Sequence, residues 1–122
     1  MKKMSRTELA QWGEETARNF LRSRHVKIIE NNFRTSSGEI DIIGFDAQDL
    51  VFFEVKTRSS LRFGFPEEAV NERKLEKIEN VANDFLDVRP YEDLNWRIDT
   101  IAIIRNPNNE KFEIRWFKNV AG

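Results

Sequence analysis

At 122 residues the chain can build one hydrophobic core but not two, and 39% hydrophobic with 34% charged residues is the balance of an ordinary soluble protein. No apolar run approaches the ~20 residues of a membrane span, and the absence of cysteine excludes disulfides and thiolate metal sites. The start, MKKMSRTELAQWGEE, has lysines with no unbroken apolar stretch behind them, so it does not read as a signal peptide, and the cytoplasm is the expected location. The net charge of -1 lacks the basic excess common in nucleic-acid binders, but it is unevenly spread. Residues 1–38 carry eight Lys/Arg against four acids, residues 39–72 three against eight, and the remainder nine of each. An acidic centre behind a basic arm suits a cation site bordering a polyanion, and equally an ordinary charged surface.

In chain order, Leu9, Trp12, Gly13, Thr16, Ala17, Phe20 and Leu21 recur at helical spacing, which predicts an amphipathic helix over 7–21. His25 falls where that helix must turn, a position it tolerates because histidine accepts positive φ better than most residues. Val26–Glu30 reads as a short strand, followed by a polar loop, NNFRTSSG. Ile40–Phe45 and Leu50–Thr57 read as strands of a hairpin closed by the turn DAQD. In FGFPEEAV, Pro66 ahead of two glutamates marks a turn and a short helical start. Asn71 then caps a helix whose apolar side is Leu75, Ile78, Val81, Ala82, Phe85 and Leu86. Arg97–Ile104 and Lys111–Phe117 close the chain as strands. No repeat or linker divides it, so the expectation is one α/β domain, a mixed sheet with helices packed on it.

The hairpin carries the unusual residues. Side chains alternate along a strand, so Leu50, Phe52, Glu54 and Lys56 share one face, which begins apolar and turns charged as the strand runs toward a cleft or the surface. Val51, Phe53, Val55 and Thr57 share the other, a core face. On the preceding strand Glu39, Asp41 and Ile43 face oppositely to Ile40 and Ile42. Counted from the turn, Asp41 and Glu54 become cross-strand neighbours, and like charges so placed repel unless something compensates. A divalent cation would do so, since Mg²⁺ takes a few carboxylates and fills its other positions with water and phosphate oxygens. Lys56 could then act on the attacking water or on developing phosphate charge. A surface ion pair between Glu54 and Lys56, with Asp41 held by an arginine, accounts for the same residues. Arg97 and Asp99 read as a structural pair, and Trp12, Trp96 and Trp116 as core residues.

Further residues favour the site. GEETARNFL, NNFR, GEIDII, LVFFEVKTR, FGFPEEAV, Lys74 and RIDTIAI occur in the order seen in the bacterial YraN-like proteins, small predicted nucleases, and the chain resembles them over nearly its whole length. More distantly it is similar to archaeal Holliday-junction resolvases and the restriction-endonuclease-like superfamily, whose signature is an acid followed by D/E-x-K. The resemblance implies a central mixed sheet flanked by helices, and a Mg²⁺- or Mn²⁺-dependent endonuclease acting on DNA. Asp41 and Glu54 match the metal-binding acids and Lys56 the catalytic lysine. The helical glutamate matches Glu14, which a helical wheel places at the edge of the apolar stripe while Glu15 points to solvent. Glu39 belongs to the GEID pattern as an outer ligand or a loop contact. Arg34, Arg58 and Lys74 are expected to contact phosphates, or to serve the acidic cluster and a helix start. The resemblance leaves a homodimer open, and a catalytically silent nucleic-acid-binding module of the same fold is the alternative it allows.

Overall fold

The computed structural model describes residues 3–91 and 93–122. Helix α1, Arg6–Ser23, opens with a capping box: Ser5 Oγ accepts from the Glu8 amide at 3.1 Å and Glu8 Oε1 from the Ser5 amide at 3.0 Å. His25 ends this helix segment with φ 67, as its place in the sequence predicts. Strands β1 (Lys27–Thr35), β2 (Gly38–Asp46) and β3 (Asp49–Arg58) follow as an antiparallel meander. A 3₁₀ turn over Pro66–Ala69 leads into α2, Glu72–Val88, whose N-cap Asn71 accepts from the Lys74 amide. Strand β4 (Trp96–Arg105) pairs with β3 in parallel, and β5 (Phe112–Phe117) pairs with β4 antiparallel. The sheet order is β1-β2-β3-β4-β5, a mixed five-stranded sheet flanked by helices. Among the described residues, no helix is long and apolar enough to cross a membrane.

One parallel pair requires one crossover, and α2 supplies it. Its apolar stripe, Ile78, Val81, Ala82, Phe85 and Leu86, packs on Ile40, Ile43, Leu50, Phe52 and Ile98. Ala17 and Leu21 of α1 cover the opposite face with Ile42, Val51, Phe53, Val55, Ile101 and Ile103. Strand β3 is thus buried on both sides from Leu50 to Val55 and becomes partly exposed from Lys56 to Arg58, as expected of a strand running toward a cleft or the surface. Phe52 and Phe53 are both fully buried, each worth about 1.5–3 kcal/mol of burial, and Glu54 beyond them is only 5% exposed.

Two further local differences have physical causes. The segment NNFRT, expected as loop, is the second half of β1. An edge strand can show polar residues to water, and Phe33 alone anchors this stretch, its ring 5.2 Å from Phe85. Ile40 and Ile42, expected on one face, enter opposite layers, Ile40 joining Ile43 under α2 while Ile42 packs under α1. The β2–β3 ladder ends at Ile42 and Phe53. Beyond it the Asp41 carboxylate, rather than a backbone carbonyl, accepts the Val55 amide at 2.8 Å, so regular alternation stops at Asp41.

At the far end of the hairpin the turn Ala47–Gln48, with Ala47 at φ 54, is held by Arg97. Its guanidinium bonds Asp46 and Asp49 at 2.6 Å each and the fully buried Asp99 at 3.0 Å. Despite some burial, bonds from Arg97 and Lys118 hold Asp46 below the usual carboxylate range. Asp99 also accepts the Trp116 indole and the Asn119 amide at 2.8 Å each, so it ties β4 to β5 and to the chain's last residues. The Arg97–Asp99 pair is structural, as expected. Removing the acid strands three donors in the interior, so Asp99→Ala should lose about 3–5 kcal/mol in denaturant unfolding. An unchanged midpoint would contradict this role.

Candidate functional site

The broken ladder gathers the charged residues. Asp41 is half-buried within β2, one residue outside its last position paired with β3, and Glu54 is buried one residue past the last position of β3 paired with β2. Helix α1 comes in from the other side at close range: a Cβ built on Gly13 would overlap the Thr57 hydroxyl, so only glycine lets the helix lie this near β3. That approach brings Glu14 to the cluster. With its amide nitrogen turned toward the acids, the orientation that satisfies both its polar atoms, Asn32 donates to Glu14 Oε1 at 2.8 Å and Glu39 Oε1 at 3.2 Å. Asn32 reaches them from β1 with φ 51, a left-handed conformation that asparagine tolerates.

Four acids therefore share one neighbourhood, and their titration reflects it. Burial pushes Asp41 up to about 8, helped by the charges of Glu54, Glu14 and Glu39 and opposed by the Val55 amide. Glu54 is also raised by burial, while Lys74 and Lys56 pull it back. Burial and then Glu39 raise Glu14, against Arg18 and Asn32.

The basic residues divide into engaged and free. Lys74 Nζ lies 3.6 Å from Glu54 Oε1, so it faces the acid cluster from the first turn of α2. Arg34 pairs with Glu39 at 3.1 Å, the neutralising role that the sequence left open for it. Among the described residues, Lys56 and Arg58 have no side-chain hydrogen bond or ion pair, and both are half-buried at the end of β3. The six residues Glu14, Glu39, Asp41, Glu54, Lys56 and Lys74 are thus brought to one end of the hairpin, while Arg34 and Arg58 border it.

Sequence reasoning missed two participants. Asn32 lay in a segment read as loop, and only its place in the NNFR motif could have singled it out. Thr100 is the register partner of Glu54 on β4, and its buried Oγ1 has no hydrogen-bond partner among the described residues. Nothing in its residue type distinguishes it from a core threonine.

The residues fit a hard divalent cation held by two carboxylates. The donors are oxygens, the buried acids lack full compensation, and an orphaned hydroxyl beside Glu54 leaves a place for a bound water to donate. Among the described residues no set of three or more acids or histidines closes into a metal cage, so water and a ligand would supply the other positions.

Fold and site together define a mixed-sheet α/β protein with a buried acid–lysine cluster at the end of its central hairpin. The chain belongs to the uncharacterised protein family UPF0102, whose model matches residues 13–103, a span that includes every member of the cluster. A UPF0102 protein of Caldicellulosiruptor saccharolyticus is 38% identical over 116 residues, covering 95% of this chain and 98% of its own. Relatives from Geotalea daltonii (41%, 91% of this chain and 87% of theirs) and Syntrophomonas wolfei (40%, 85% and 90%) are similar.

Asp41 titrates near 3.8 when free of the fold and about 8 within it. Between these values the folded metal-free protein keeps a proton that the unfolded chain has released, so stability falls as pH rises through the window. Asp41→Asn removes this loss, keeps an oxygen for the Val55 amide and turns an amide donor toward the acids. In chelator, the variant should gain on the wild type by a few kcal/mol between about pH 4 and about pH 8. Parallel pH profiles of the two would show that burial and the neighbouring acids do not raise Asp41.

Proposed function

We propose that this protein is a divalent-metal-dependent endonuclease that hydrolyses DNA phosphodiesters, a member of the restriction-endonuclease-like superfamily its sequence resembles. The observation that carries the reading is the half-buried Asp41 beside the buried Glu54 at the broken end of the β2–β3 ladder, with the charge of Lys56 acting on Glu54. Stability alone gives no reason to keep that arrangement, because two carboxyls so placed cannot both ionise without a cost in free energy.

In this reading Asp41 and Glu54 hold Mg²⁺ or Mn²⁺, and Glu14 reaches the same group from α1. When bound there, such a cation would supply neutralisation of phosphate charge and a more acidic water. Asp41 has its own orientation fixed by the Val55 amide. Asn32 holds Glu14 at its angle, and Glu39, drawn off by Arg34, acts through that same amide as an outer ligand. Lys56 directs its ammonium to the attacking water or to the phosphate oxygens as negative charge develops. Arg58, half-buried and without a side-chain hydrogen bond or ion pair among the described residues, would meet a neighbouring backbone phosphate, and such contacts make binding weaken as salt rises.

The catalytically silent nucleic-acid-binding module draws support from one contact. Lys74 lies 3.6 Å from Glu54 and offers the cluster a cation carried by the protein itself. Incubation with linear and branched DNA in Mn²⁺ separates the readings. The endonuclease predicts cleavage that chelator abolishes and that Lys56→Ala lowers by about 10²- to 10⁴-fold. Salt-sensitive DNA binding without cleavage would establish the silent module, and equal cleavage by wild type and Lys56→Ala would trace the activity to a contaminant.

A further inference from the structure

A second charged group lies apart from the acids. Arg105 ends β4 and is only 5% exposed, yet among the described residues its side chain makes no hydrogen bond and no ion pair. Its guanidinium rests over the Trp12 ring at 5.7 Å, and Trp12 is itself braced edge-on by Phe112 at 5.4 Å. Stacking of this kind offsets part of the cost of burial but satisfies none of the five N–H donors, and the group cannot shed its charge. Among the described residues the sealed, unpartnered side-chain atoms are Thr100 Oγ1 and Arg115 Nε, so the Arg105 nitrogens keep access to solvent while the rest of the side chain is buried.

Arg105 lines an open groove of about 410 Å³ between the segment after β3 and the β4–β5 turn. Ser59 and Ser60 border it from one side, and Asn106 and the exposed Lys111 from the other. The last two are tied across the turn, the Asn106 amide donating to the Lys111 carbonyl at 2.8 Å. Glu113 also borders the groove, but it is 66% exposed and its carboxylate lies 3.7 Å from Arg115 Nε, so it leaves Arg105 uncompensated.

We propose that this groove binds a phosphate group, with Arg105 as its buried anchor and Lys111 as its outer cation. A guanidinium fork, an ammonium, two hydroxyls and an amide lie among the apolar lining residues Leu61, Ile104, Pro107 and Phe112, and this many donors from separate directions suits a tetrahedral oxyanion. The volume leaves room for an organic group carried by the phosphate. The site is distinct from the acid cluster. Arg105 shares the α1 face with Ile101 and Ile103, while Glu54 faces α2, and Arg105 lies three residues beyond Ala102, the register partner of Lys56. The inference therefore stands independently of nuclease activity. The phosphate is either free, as inorganic phosphate or a mononucleotide, or part of a polynucleotide backbone.

Titrating chelator-treated full-length protein with inorganic phosphate, a nucleoside monophosphate and a short single-stranded DNA tests this, with sodium chloride at matched ionic strength as control. The Trp12 indole resonance, directly under the guanidinium, is the reporter. At least one phosphate probe should give a saturable shift that chloride does not. Arg105→Met, which keeps the packing volume without the charge, should weaken it by about tenfold to a hundredfold. Arg105→Lys should retain part of it. Lys111→Ala, a surface change that leaves the fold alone, should weaken it a few-fold. Response to phosphate or the monophosphate assigns a small ligand, and response confined to DNA assigns a backbone phosphate. Identical titrations of wild type and Arg105→Met, or a chloride response equal to that of phosphate, would overturn the site. Loss of DNA cleavage with phosphate binding intact would count against the endonuclease reading alone.

Discussion

The bond from the Val55 amide to the Asp41 carboxylate is the contact on which the rest of the site depends. A β-ladder ordinarily continues until its strands diverge into loops, each amide meeting a carbonyl. Here a side chain takes the carbonyl's place just past Ile42 and Phe53. The substitution lets β2 and β3 part while the backbone donor stays satisfied, and it fixes a carboxylate beside Glu54 instead of leaving it to find water. Strands buried on both faces hold the two acids there, because neither strand can shift without disturbing Phe52 and Phe53 in opposite core layers.

The surroundings are arranged around that junction. Gly13 gives α1 its close approach to Thr57 and so brings Glu14 over the strand ends. Asn32 in turn joins Glu14 to Glu39. The crossover helix delivers Lys74 to Glu54 from the other face, with its first turn fixed by Asn71. Elements distant in sequence thus converge on a few carboxylate oxygens. Their combined effect is to gather carboxyl groups where solvent is scarce, which is why burial raises Asp41, Glu54 and Glu14.

Much of this was legible in the sequence because periodicity reports burial directly. The stripes of α1 and α2, the DAQD hairpin, the Asn71 cap and the order of elements follow from spacing alone. The acid–lysine grouping followed from counting back from a turn, since the two-residue connection fixes which residues meet. What escaped depended on the broken pleat. Alternation assigned Ile40 and Ile42 to one face, and no local signal announces that a side chain will end the ladder at Asp41. NNFRT was misread because an edge strand needs only one apolar anchor, Phe33, among polar neighbours. Thr100 and Arg105 are ordinary strand residues by type, and only the fold distinguishes them, Thr100 by a buried hydroxyl with no hydrogen-bond partner among the described residues and Arg105 by its place over Trp12.

The turn at Ala47 and Gln48 gains significance from its distance. Asp41 lies five residues from Asp46, on the order of 17 Å along the strand, so the turn and the acid pair are the two ends of a ruler. Arg97 grips the ruler at its zero mark by clasping Asp46 and Asp49 together. An extra residue in that exposed connection would slip the pairing by one position and carry Asp41 to the wrong side of the sheet. A surface loop usually tolerates a change of length, but this one sets the register that places Asp41 beside Glu54 at the other end of the hairpin.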